Sequence, residues 1–159
     1  MENRILVVDD EDFHRELMRK LLLKLGYDVA VVDSAEAAFS YLAKEKAAII
    51  ITDLILLEMD GVEFCRKIRE TDHKTIVIAL SGHTDLYDAD KLKEVGFDNH
   101  LTKPFKIEAI KEAIQEGFEE FHRRTEIQDK TSEFQTGPYL TALIKFYPSK
   151  EPLMTLLRP

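Results

Sequence analysis

Residues 46–61 read KAAIIITDLILLEMDG, and the reading of the whole chain turns on how Asp53 is accommodated inside that block. A carboxylate buried without a partner costs several kcal/mol, so the acid must lie where its charge can be compensated. The run AAIIIT at 47–52 is therefore read as a buried strand with Asp53 at its end. The apolar residues that follow form the loop leaving it. Asp60-Gly61-Val62-Glu63 then has the spacing of a capping box that opens a helix over 61–70. A strand that is apolar throughout, without polar alternation, is buried on both faces, as in a parallel sheet.

The same unit recurs on both sides of this block. RILVV at 4–8, DVAVV at 28–32, TIVIAL at 75–80 and NHLT at 99–102 are short strand candidates, mostly rich in β-branched residues. Stretches of helical period separate them. Phe13, Leu17, Leu21 and Leu25 recur along a first helix that Gly26 ends, and Ser34 caps a second over 35–44. A short helix is expected around 85–95, stopped by Gly96, and Ile107, Ile110, Ile114, Phe118 and Phe121 mark a last one over about 106–123. Strands alternating with helices predict an α/β fold, a doubly wound five-stranded parallel sheet with helices on both faces.

Composition bounds what such a domain can do. The 159 residues suffice for one core and a short appendage. A net charge of −8 argues against a nucleic-acid-binding surface, which needs clustered Lys and Arg. The apolar start is too short for a signal peptide, and no run approaches the roughly 18 apolar residues of a membrane span. The single cysteine, Cys65, cannot close an internal disulfide and is read as a packing residue; a cytoplasmic setting is expected.

In doubly wound sheets the ligand site lies beyond the carboxyl ends of the strands. The residues there are Asp9, Asp10 and Glu11 after the first strand, Asp53 after the third, Ser81 and Gly82 after the fourth, and Lys103 and Pro104 after the fifth. Each alone has an ordinary explanation as turn or cap chemistry; together they place three aspartates, a hydroxyl and an ammonium on one rim. Crowded carboxylates raise one another's pKa unless a cation neutralises them, and an all-oxygen donor set favours Mg2+. The histidines at 14, 73, 83, 100 and 122 have no zinc-like spacing.

ILVVDDE (5–11), TDLILLEMDG (52–61), ALSG (79–82) and TKPF (102–105), in this order, resemble the receiver domain of two-component response regulators over residues 1–124. The resemblance implies a flavodoxin-like sheet of strand order 2-1-3-4-5. It implies that Asp53 accepts a phosphoryl group from a histidine kinase, and that Asp9, Asp10 and Asp53 hold Mg2+ together with the backbone carbonyl of Ile55. Ser81 would engage the phosphoryl oxygens, Lys103 would pair with them, and the Lys103–Pro104 bond would be cis. Such a protein is a signalling phosphoacceptor that catalyses only its own phosphorylation and dephosphorylation. Its output would run through a downstream protein partner at the face of the fourth helix, fifth strand and fifth helix, without direct nucleic-acid or membrane contact, and a homodimer is left open. The alternatives are a pseudo-receiver that binds partners without phosphorylation, and an aspartyl-phosphate phosphohydrolase. The second is disfavoured because Ile55 stands where such enzymes place a second Asp.

The chain departs from the family pattern at Leu57, where a proline is usual, and at His100, where a Tyr or Phe ring is usual. His100 is read either as a half-exposed edge-strand residue or as a replacement switch ring. Ile55 and His83 occupy positions that position attacking water, and an apolar Ile55 implies slow self-dephosphorylation. Residues 125–159 are expected to form a short, partly ordered or helical extension, with a helix after Pro138 presenting Leu140, Leu143, Ile144 and Tyr147. This segment is too short and too little basic for a DNA-binding domain. It is read as packing onto the receiver, or as a docking or dimerisation segment.

Overall fold

The computed structural model describes residues 3–82 and 87–136. Strands and helices alternate: β1 (Arg4–Val8), α1 (Asp12–Lys24), β2 (Asp28–Val32), α2 (Ala35–Leu42), β3 (Ile49–Asp53), α3 (Gly61–Thr71), β4 (Ile76–Ser81), α4 (Ala89–Val95), β5 (Asn99–Thr102) and α5 (Ile107–Thr136). The strands form one parallel sheet in the order β2-β1-β3-β4-β5. β3 is central, with Ile50 paired to Leu6 on one side and Val77 on the other.

Because side chains alternate along a strand, each strand feeds two cores. Leu6, Val8, Ile50, Val77 and Ala79 pack with Ala38, Phe64, Ile68 and Leu92 on one face. Ile5, Val7, Ile49, Ile51, Ile78 and Leu80 pack with Met18, Leu22, Ile110 and Ile114 on the other. Local chemistry agrees with this plan: Ser34 Oγ accepts from Ala37 N–H at 3.1 Å, and Asp60 Oδ1 accepts from Glu63 N–H at 2.8 Å. Gly96 closes α4 at φ 120°, a left-handed conformation that other residues rarely adopt.

Three expectations change. In α1 the buried residues are Met18 and Leu22, whereas Phe13 and Leu17 are 73% and 57% exposed. The helix carries apolar residues on more than one face, and period alone does not say which face the sheet covers. α5 continues to Thr136 instead of ending near 123. The apolar stripe fades after Phe121, but no glycine or proline interrupts the sequence between Gly117 and Gly137. α4 begins at Ala89; the start expected near residue 85 falls at residues 83–86, which, like the Pro138 helix, lie outside the described residues. Packing divides the chain after His122, and of residues 123–159 the described part is helical as far as Thr136.

Arg69, at the end of α3, ties together several elements. Its Nε donates to Gly96 O at 2.9 Å, Nη1 to Thr75 O at 2.7 Å and Asp72 O at 3.1 Å, and Nη2 pairs with Asp98 Oδ2 at 2.8 Å. Asp98 Oδ2 also accepts from Val77 N–H, which joins the start of β4 to the turn before β5. A Cβ at Gly96 would lie 2.7 Å from Arg69 Cγ, a second reason for glycine there. Burial pushes the Asp72 carboxyl up, but the hydroxyl and N–H of Thr75, the N–H of Lys74 and the Arg69 charge together bring it below the usual range. The Arg69 and Asp98 side chains are only 14% and 18% exposed. Arg69→Ala is therefore expected to cost about 2–3 kcal/mol in urea unfolding, below the 3–5 of a fully buried broken pair; a loss under about 0.5 kcal/mol, the scale of an ordinary surface change, would contradict this account.

Candidate functional site

The strand order brings the ends of β1, β3 and β5 together. Parallel strands lie about 4.8 Å apart, so β3 and β5, separated only by β4, stand within reach of a lysine side chain. The main chain sets this up: Lys103 N–H donates to Ser81 O at 2.7 Å, and Leu54 N–H donates to Leu80 O at 3.1 Å. Ser81 pairs with Thr102 in the β4–β5 ladder, and the Lys103–Pro104 bond after it is cis. Lys103 Nζ then crosses to Asp53 Oδ2 at 2.6 Å and lies 3.9 Å from Asp9 Oδ2.

The two carboxylates differ in surroundings. Asp53, the last residue of β3, is half-buried, and its Oδ1 accepts the Ile55 N–H at 3.0 Å. Asp9 is 2% exposed. Its N–H donates to Val32 O, its Oδ1 accepts the Glu11 N–H at 2.9 Å, and its main-chain oxygen accepts from Arg15 Nη1 at 2.7 Å. Burial raises the Asp9 pKa above the ordinary carboxylate value; the Glu11 N–H and the Lys103 charge oppose the rise, and the Asp53 charge adds to it. Asp9 is thus a buried acid sharing one ammonium with a second acid.

The loop after Asp53 is held close. Gly61 N–H donates to Leu54 O at 2.9 Å, and a side chain at Gly61 would run into the Asp53 main-chain oxygen, so glycine lets α3 begin against the end of β3. In that turn Leu56 is buried while Ile55 and Leu57 stand 66% and 87% exposed.

The structure thus joins Asp9, Asp53 and Lys103 by their side chains, Ser81 through its main-chain oxygen, and Ile55 through its N–H. Asp10 follows Asp9 and is half-buried, and the ion pairs of Lys103 go to Asp9 and Asp53. Among the described residues no three His, Cys, Asp or Glu side chains are gathered as a ready metal cage. The donor chemistry nevertheless suits a hard cation: Asp9 and Asp53, both all-oxygen donors, share a single ammonium, and Asp10 follows in the next position. His100 is exposed on the edge strand β5, and His83 lies outside the described residues.

Two neighbours escaped the sequence reading. His14 Nδ1 lies 3.6 Å from Asp9 Oδ2 and 3.5 Å from Glu11 Oε2, too far for a hydrogen bond. Arg15 reaches the main chain of Asp9. Beside them is a groove of about 400 Å³ lined mainly by apolar side chains, among them Leu17, Leu21, Leu80 and Phe105, with Asp9 and Lys103 in its wall. Phe13 and Leu17, exposed on α1, form one side of it.

A family model of the response regulator receiver domain matches residues 5–115. The alkaline phosphatase synthesis transcriptional regulatory protein PhoP of Bacillus subtilis is 30% identical over 135 residues, 85% of this chain and 55% of that protein. Sporulation initiation phosphotransferase F of Bacillus subtilis is 29% identical over 115 residues, 72% of this chain and 93% of that protein. Among solved structures, a response regulator receiver domain protein from Clostridium thermocellum superposes with a TM-score of 0.70 at 26% identity, covering 79% of this chain and 98% of that one. The chain spans about half the length of the transcriptional regulator it matches. Among the described residues no helix is long and apolar enough to cross a membrane. Sheet order, the motif residues at the strand ends and the match over residues 5–115 lead to one assignment: the chain belongs to the response regulator receiver domain family.

Proposed function

We propose that the chain is a phosphoaccepting receiver in which Asp53 takes a phosphoryl group from a phosphohistidine of a histidine kinase. The observation that carries this reading is the Lys103 ammonium 2.6 Å from Asp53 Oδ2, with Oδ1 oriented by the Ile55 N–H. An Asp53 oxygen attacks phosphorus, the P–N bond breaks, and the imidazole leaves with the electron pair and takes up a proton. Lys103 offsets charge on the transferring oxygens, and Ser81 at the end of β4 supplies a neutral donor toward them.

Asp9, Asp10 and Asp53, with the Ile55 carbonyl, would hold Mg2+, which when bound neutralises charge on the incoming phosphoryl oxygens. The acidic excess around Lys103 supports that donor set. Phosphorylation places roughly two negative charges at the rim, and a donor drawn toward them can shift the adjoining loop and with it the α4–β5–α5 face. β5 is the edge of the sheet with His100 exposed, which supports this face as the contact for a downstream protein partner; a homodimer there is the alternative occupant. The exposed ring at His100 supports its reading as an edge residue in this conformation. The family match ending at 115 and the division of packing after His122 support residues 1–124 as the receiver and 125–159 as an extension. The setting we infer is cytoplasmic, with Cys65 a free, buried thiol.

A second reading, a phosphorylation-independent binding module, draws on the Lys103–Asp53 pair itself, which satisfies the acid without a phosphoryl group. Incubation with Mg2+ and acetyl phosphate separates the two. The expected result is an acid-stable, base-labile adduct of one phosphoryl group by intact mass, absent in Asp53→Asn and formed about 10²-fold more slowly in Lys103→Met. No adduct on the wild-type chain would favour the binding module.

Slow hydrolysis of that adduct is expected because Ile55 offers water no polar guide; a half-life of seconds would count against this. A further expectation follows from Asp9. Its raised folded pKa means that the native state binds a proton more readily than the unfolded chain. Metal-free stability from this group is therefore greatest below the unfolded carboxylate pKa and declines as pH rises through the folded one. At pH 7 in chelator, Asp9→Asn should melt at a higher temperature than wild type, and in Mg2+ it should lose the wild type's cation-dependent gain. A lower Tm in chelator would overturn the charge account.

A further inference from the structure

Arg15 lies on α1, six residues after Asp9 and outside the four sequence motifs of the site. Its guanidinium pairs with Asp12 through Nη2, and its Nη1 donates to the Asp9 main-chain oxygen at 2.7 Å. Only 17% of its side chain is exposed, against 39% for Arg19, which pairs with Glu16 at the same helical spacing and, among the described residues, reaches nothing else. Asp12, the partner of Arg15 in the ion pair, is 95% exposed, whereas the carbonyl that Arg15 reaches belongs to the buried Asp9.

The acceptor matters because of where it sits. The β1 ladder ends at Val8, so the peptide joining Asp9 to Asp10 is beyond the sheet's own hydrogen bonds. Asp9 is held at its N–H by Val32 O and at its Oδ1 by Glu11 N–H. Its carbonyl is held by Arg15. A peptide unit is planar, so holding that carbonyl constrains where the Asp10 N–H and Cα lie, and with them the point from which the Asp10 side chain departs.

We propose that Arg15 is a positioning residue for the divalent-cation site, holding the Asp9–Asp10 peptide so that both carboxylates address one ion. It acts through the main chain and touches neither the ion nor the phosphoryl group. This inference rests on the reading of Asp9 and Asp10 as cation ligands.

Electrostatics alone predicts the opposite sign. A guanidinium near the acids repels a cation, so its removal would tighten Mg2+ binding if charge were its whole effect. Loss of positioning weakens binding, and groups that orient metal ligands typically change affinity by about 10–100-fold. The test is a Mg2+ titration without phosphodonor, followed by the amide resonances of residues 9–11, on wild type, Arg15→Ala, Arg15→Lys and Arg19→Ala. The expected result is roughly tenfold weaker binding for Arg15→Ala, partial recovery for Arg15→Lys, and affinity at or slightly above wild type for Arg19→Ala. At saturating Mg2+ the rate of Asp53 phosphorylation by acetyl phosphate should stay within about twofold of wild type, a KM-like effect with the limiting rate spared. Where Arg15→Ala does not fold, Arg15→Met keeps the aliphatic stem and takes its place. Equal or tighter Mg2+ binding by the Arg15 variants, or equal weakening in Arg19→Ala, overturns the inference. A wild-type chain that binds no Mg2+ overturns instead the assignment of Asp9 and Asp10 as cation ligands.

Discussion

One ammonium shared between two carboxylates, Lys103 between Asp53 and Asp9, is the constraint around which the site is built. Each acid ends or follows a strand whose buried interior is apolar but for Thr52 in β3, and neither could sit there uncompensated without a large desolvation cost. The sheet order solves this, because it puts the end of β5 two strands from the end of β3 and leaves a lysine the right distance to span. The Lys103 main chain is held in turn by Ser81, so the cation is fixed at its root as well as its tip. Asp9 remains the costly member: almost wholly buried, it has its pKa lifted by that burial even with Lys103 nearby.

The strands and the strand-end acids were legible in the sequence because each follows from a local rule, whereas the strand order came only with the family resemblance. Uninterrupted runs such as RILVV and IIIT have to be buried on both faces, and an acid next to them has to be at an end. The face that α1 buries was not legible. Phe13, Leu17, Leu21 and Leu25 share a spacing, but the sheet buries Met18 and Leu22, with Leu21 packed beside them, and spacing alone does not distinguish the two sets. The length of α5 was missed for a related reason: an apolar stripe reports burial, and a helix can continue past the last buried turn when nothing breaks it. Arg15 left no trace in the motifs because its acceptor is a main-chain oxygen, a group that every residue carries.

Ile55 and Leu57 illustrate how context reverses a hydropathy reading. In sequence they extend the apolar block of β3; in the structure the chain turns back at Gly61, Leu56 alone of the three points inward, and its two neighbours face solvent beside Asp53. Together with Phe13 and Leu17 on α1, they leave exposed apolar side chains on elements to either side of Asp53. A protein that approaches the acid to exchange a phosphoryl group would meet a surface able to desolvate the reaction as it forms contact, and an acid flanked by such residues is less accessible to water once covered.

The two ends of the sheet are built differently. At the amino ends of the strands, arginines knit the elements together: Arg69 binds α3, the α4 cap and the approaches to β4 and β5, while Arg4 joins Asp28 and Tyr41 at the start of β1 and β2. At the carboxyl ends, among the described residues, the side-chain links between strands converge on one ammonium, Lys103, which reaches both Asp53 and Asp9. One lysine thus does at the rim what two arginines share at the base. A new charge at Asp53 would change the partner of that lysine, whose main chain is bonded to Ser81 at the end of β4, so its influence would run across the strand ends toward the edge strand and away from the arginine-braced base.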